Sequence, residues 1–202
     1  MFEHIERVHI IGKAQSLNDE ISAVDKIVQE MSQATEYIKR DLTAHSDSMF
    51  GEQFEIAVNS VVGLSDIIYE KSYEINCVQH DLVGYIDRVD NFNNRAPSGL
   101  PPRQFNVQRV SVQAELGDDL LDVEKIEKLI NDIMQYSQSS FDLIDTMVRH
   151  KDATASIWRD PQYNQYSAFI DEVENAVKRG VVALTDYAQC LAVKLSILKQ
   201  GS

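Results

Sequence analysis

Arg7-Val8-His9-Ile10 returns, little changed, as Arg109-Val110-Ser111-Val112, 102 positions further along the chain. The residues downstream of these two tetrapeptides decide the fold. At the same offset Ile21, Val24, Ile27, Val28 and Met31 fall on Val123, Ile126, Leu129, Ile130 and Ile133. Between them Asp25-Lys26 falls on Glu127-Lys128 and Gln29-Glu30 on Asn131-Asp132, while Gln33 meets Gln135. Shared helical periodicity alone accounts for the apolar matches. The coincident polar residues point to a duplicated unit, a feature that sets the architecture when present.

Beyond the first helix the offset grows to 109, and Phe54, Val61, Ile68, Ile75, Leu82 and Val89 overlie Tyr163, Ile170, Val177, Leu184, Leu191 and Leu198. The extra seven residues are one heptad. Such an insertion lengthens the first arm of the second copy by about two turns and keeps its apolar stripe in phase. Each copy thus predicts a first helix of about 25–35 residues, a turn, and a returning helix with an apolar residue at every seventh position. The turns are expected around Met49-Phe50-Gly51 and around Trp158-Arg159-Asp160-Pro161.

Local signals mark the ends. Ser16 with Asp19 three residues on reads as a capping box, and Gly117-Asp118-Asp119 serves the second copy. Asp160 reads as the cap of the last helix, with Pro161 at its first position. Gly51 would allow a backbone with positive φ in the first turn. The stretches RVHII and FNVQRVSV that precede the helices are β-like in pattern. They pair as a ribbon, lie extended on the helices, or lengthen them.

These elements predict an all-α chain: an antiparallel four-helix bundle made of two tandem hairpins, each covering the other's apolar stripe. The first hairpin unit spans 1–92, a Pro-rich linker 93–104, and the second unit 105–202. Pairing of each hairpin with a second chain, as a homo- or heterodimer, is the alternative.

Composition agrees with a folded chain. Of 202 residues 44% are hydrophobic and 25% charged, with only 8 Gly and 4 Pro. The net charge of −13 disfavours nucleic acid and anionic lipid as partners. The one acid-free basic stretch, Phe92 to Ala114 with Arg95, Arg103 and Arg109, reads as a solvated linker. No apolar run approaches 18 residues, so no membrane span is expected. The N-terminus lacks a signal-peptide core, which predicts a cytoplasmic protein or one exported without a signal peptide. Cys77 and Cys190 read as small buried thiols, with a disulfide left open.

The second copy resembles the WXG family of small helical hairpins, the substrates and partners of type VII (ESX) secretion. The resemblance covers about 105–200. In that family a Trp-x-Gly turn joins the helices and an aromatic follows the Trp by eight residues; Trp158 and Tyr166 match that spacing. Asp160 stands where the family has Gly. In the first copy Met49-Phe50-Gly51 overlies Trp158-Arg159-Asp160, so that copy keeps the Gly and lacks the Trp. The motif and packing residues are therefore Met49, Gly51, Phe54, Trp158, Asp160, Pro161 and Tyr166. The family's Tyr-x-x-x-Asp/Glu export element on a C-terminal tail has no counterpart after KLSILKQGS. The resemblance therefore implies a non-enzymatic adaptor or partner in a secretion or toxin system, binding another protein through helix packing, rather than a self-exported substrate.

Catalytic and metal signatures are sparse. Glu6-Arg7-Val8-His9 is the single Glu-x-x-His, and Cys77 with His80 gives one pair where zinc needs four ligands. There is no phosphate loop and no Gly-x-Ser-x-Gly elbow. No catalytic, cofactor or metal residue is assigned. His45 and His150 read as cations near the ends of first helices. Two alternatives to the adaptor remain: a bundle holding a small ligand or metal among its tyrosines and histidines, and an acidic antidote to a basic toxin.

Overall fold

The structure is a computed structural model that describes residues 14–44, 52–92, 123–159 and 161–200. Four helices account for nearly all of them: α1 (Ala14–Ala44), α2 (Glu52–Phe92), α3 (Val123–Ile157) and α4 (Pro161–Gln200). There is no strand element among the described residues. The expected β-like segments, the linker, the first turn with Met49 and Gly51, and Asp160 lie outside the described residues.

Each helix packs on two others and leaves the third alone. α1 touches α2 and α3, and α4 touches α2 and α3, so the order around the bundle is α1, α2, α4, α3. Cross-links give the directions. Glu20 and Asp41 of α1 meet His150 and Lys128 of α3, so numbers rise on one helix as they fall on the other. On the opposite side Phe54 meets Tyr187 and Lys71 meets Glu172, so α2 and α4 also run antiparallel. Every neighbouring pair is therefore antiparallel, and the antiparallel four-helix bundle expected from the sequence is the fold.

The heptads explain why. Val61, Ile68, Ile75 and Leu82 of α2 are buried, as are Ile170, Val177, Leu184 and Leu191 of α4. On the first arms Ile21, Val24, Ile27, Val28 and Met31 are buried, as are Ile126, Leu129 and Ile133. A single hairpin would leave one such stripe wet, at about 25 cal/mol per Å² of apolar surface. Two hairpins in one chain remove both from water.

Particulars differ from expectation. α1 begins at Ala14, so Ser16 and Asp19 lie inside its first turns rather than forming a capping box ahead of it. α1 has 31 described residues and α3 has 35. Pro161 opens α4 as expected. α3 runs two turns past His150, whose ring Nδ1 lies 2.7 Å from Glu20 Oε2 across the hairpin interface instead of capping a helix end. Cys77 and Cys190 are both free thiols and only half-buried. The expectation of no apolar run of span length also needs qualification. α4 has an 18-residue window of mean hydropathy 1.5, apolar enough by length and composition to cross a membrane. The same helix supplies core residues from Tyr166 to Leu195.

One feature of the packing is tight. A Cβ on Gly180 of α4 would come within 2.8 Å of Leu64 Cδ2 of α2. The two helices close on each other here because Gly180 has no side chain.

Candidate functional site: the hairpin tip and the outer α2–α4 groove

The tip of the second hairpin is built on three aromatics. α3 keeps its hydrogen-bond pattern to the end, with Trp158 N–H donating to Thr154 O at 2.9 Å. This aims the indole inward, where it is fully buried. One turn into α4, Tyr163 meets Trp158 edge-on, with centroids 6.0 Å apart and planes at 73°. Tyr166 lies 5.8 Å from Trp158 and is also fully buried. Aromatic pairs of this geometry add to simple area burial. The Tyr163 hydroxyl donates to Lys151 O at 3.3 Å, and Lys151 Nζ reaches Asp171 at 2.5 Å. Ring packing and polar ties therefore lock the start of α4 to the end of α3. Trp158 and Tyr166, separated by eight residues in sequence, are brought together. Pro161 is exposed at the helix start, and Phe54 stands apart, 5.7 Å from Tyr187 on the other hairpin.

The centre of the bundle is polar, which the apolar stripes do not announce. Thr35 Oγ1 and Tyr136 Oη are 2.8 Å apart in the core. Burial pushes the Tyr136 hydroxyl above its ordinary pKa, against hydrogen bonds to Thr35 and Ser140 that lower it. Glu36, also buried, accepts from Ser65 of α2 and from Lys39 at 2.6 Å. Gln79 of α2 donates to Ile21 O of α1 at 3.1 Å. Such groups fix register, because a slipped helix would strand them.

A second feature escapes the sequence. The outer seam between α2 and α4 opens into a groove of about 1300 Å³. Tyr69, Tyr73, Cys77 and Phe169 supply its apolar surface, and Asp66, Glu70, Glu74 and Asp81 its charge. Lys71, behind this lining, ties the two helices together: its Nζ lies 2.8 Å from Glu74, 2.9 Å from Glu172 and 3.2 Å from Glu70, and 5.5 Å from the centre of the Phe169 ring. The hydrogen bond to Glu74 leads in holding the Lys71 ammonium well above its ordinary pKa, against desolvation; bonds to Glu172 and Glu70 add to it. The Tyr73 hydroxyl is also raised, chiefly by its hydrogen bond to Cys77. Tyr73 faces outward, 57% exposed, which its helical spacing did not disclose.

Among the described residues no group of three or more His, Cys, Asp or Glu is placed to hold a metal ion. The chain matches no family model, no curated protein and no solved structure.

Proposed function

We propose that the protein is a non-enzymatic interaction module: a tandem WXG-like bundle, derived from a duplicated hairpin, that acts as an adaptor or partner in a type VII-like secretion or toxin system. The observation that carries this is the tip of the second hairpin. Trp158 and Tyr166, at the eight-residue spacing of the family motif, pack ring to ring and close the α3–α4 turn. The equivalent burial of heptad positions in the two hairpins supports the duplication.

Recognition works through helix packing on the outside of the bundle. The inside is occupied by the hairpins' own stripes, yet Tyr37, Tyr73, Met134, Phe141, Val182 and Ile197 stay exposed. Cross-linking in the native cell, followed by purification of the full chain, tests the reading. The expected result is one dominant protein partner, a secretion component or another hairpin protein, cross-linked to helix lysines such as Lys26, Lys178 or Lys194. Recovery of the chain alone, carrying a stoichiometric metal or small molecule, would overturn it.

A further inference from the structure

We infer that the α2–α4 groove is a docking site for a cationic amphipathic helix of a partner protein. This rests on the interaction-module reading and names the surface and the chemistry of the partner.

Shape comes first. The groove follows α2 from Asp66 to Asp81, a run of about 22 Å, or about four helical turns. A seam between two antiparallel helices is a ready cradle for a third.

Charge sets the polarity of the occupant. Asp66, Glu70 and Glu74 succeed one another every four residues on α2, and Asp81 lies one heptad further. The lining includes no lysine or arginine, its one basic side chain is His80 beside Asp81, and Lys71 behind it is shared among three carboxylates, Glu70, Glu74 and Glu172. A row of carboxylates at helical spacing matches Lys or Arg at the same spacing on a facing helix. The chain's net charge of −13 adds long-range attraction for such a partner.

The apolar and neutral groups set the rest. Tyr73 is 57% exposed and Phe169 half-buried, so the groove offers ring surface for an aliphatic or aromatic side chain. Asn76 lines the groove at 8% exposure, a polar neighbour to the rings. The occupant is therefore a helix with a basic edge and an adjoining apolar edge.

The probe is a synthetic amidated peptide of about 15 residues carrying Lys every fourth position and Leu on the neighbouring edge. Its control is a scrambled isomer of equal charge. Binding to the full chain is read by fluorescence anisotropy at physiological salt. The patterned peptide should bind with 1:1 stoichiometry and about tenfold more tightly than the isomer. The double variant Asp66→Lys/Tyr73→Ala, both positions exposed, should lose about tenfold while its circular dichroism stays helical. Asp142→Lys, on an exposed stretch of α3, should change nothing. Equal binding of both peptides, insensitivity to the groove variant, or no binding at all overturns the inference. So does a cross-link from Cys77 to residues 93–114 of the same chain, which would make that basic segment the occupant. The interaction-module reading fails separately, when no protein partner is found anywhere on the chain.

Discussion

Thr35 and Tyr136 share a hydrogen bond in the core although 101 residues separate them, one fewer than the offset that superimposes the first helices of the two hairpins. When two like hairpins pack antiparallel, positions near the midpoint meet their own counterparts. The Thr35–Tyr136 pair marks that midpoint on the α1–α3 side.

Removing this bond should be measurable. Tyr136→Phe deletes one buried hydroxyl and is expected to cost about 1 kcal/mol in urea unfolding. Thr35→Val should cost a similar amount. The double variant should cost less than the two single costs added together, because each single variant strands the other's hydroxyl. Strict additivity would show that the two groups act independently.

Trp158 is the single tryptophan in the chain and is fully buried, so its fluorescence reports on the hairpin tip. The native spectrum should be blue-shifted and should move red on unfolding. Trp158→Phe should retain the fold at reduced stability, whereas Trp158→Ala should cost about 3–5 kcal/mol. An alanine variant of unchanged stability would remove Trp158 as the anchor of the turn.

The close approach at Gly180 makes an uneven prediction. Gly180→Ala gains about 1 kcal/mol of helix propensity and asks only the Leu64 methyl group to move, so its net effect on Tm should be small. Gly180→Leu should destabilise by about 1–3 kcal/mol or more through overpacking. A stable leucine variant would show that α2 and α4 are not in close contact there.

Lys71 links stability to pH and to salt. Its folded-state pKa is raised above the ordinary lysine value, so its contribution is fully present below about 10.5 and is lost as pH climbs through the folded value. Stability should therefore decline in strong alkali. Lys71→Met leaves Glu74 and Glu172 facing each other without a cation. The variant should therefore be less stable at neutral pH, and its deficit should shrink at high salt, which screens their repulsion. A deficit of the same size at low and high salt would show that the ion cluster is not what Lys71 supplies.

Much of this bundle was written in the sequence. The heptads named buried residues from Val61 to Leu82 on α2 and from Ile170 to Leu191 on α4, because a seven-residue apolar period admits one inward face, while Leu198 at the end of the series is 38% exposed. Pro161 marked a helix start by its chemistry. Trp158 and Tyr166 were legible as motif and packing residues through the family resemblance, while their contact with each other was not. The start of α1 at Ala14 was not, since Ser16 carries the same capping signal whether or not the helix continues behind it. The polar centre was hidden for a different reason. Glu36, Ser65 and Tyr136 look like surface residues until a neighbouring helix supplies their partners. The α2–α4 groove depends on how two helices distant in sequence meet, and neither helix declares that alone.

The central claim is that the two hairpins of one chain cover each other head to tail. Disulfide trapping tests it most directly, with Cys77 and Cys190 replaced by serine. Glu20→Cys/His150→Cys, at positions whose side chains meet across α1 and α3, should oxidise rapidly within a monomer of about 22.9 kDa. Glu20→Cys/Glu124→Cys, which would meet only if the hairpins ran side by side in the same direction, should stay reduced. Rapid closure of the second pair, or closure of the first only between two chains, would contradict the account.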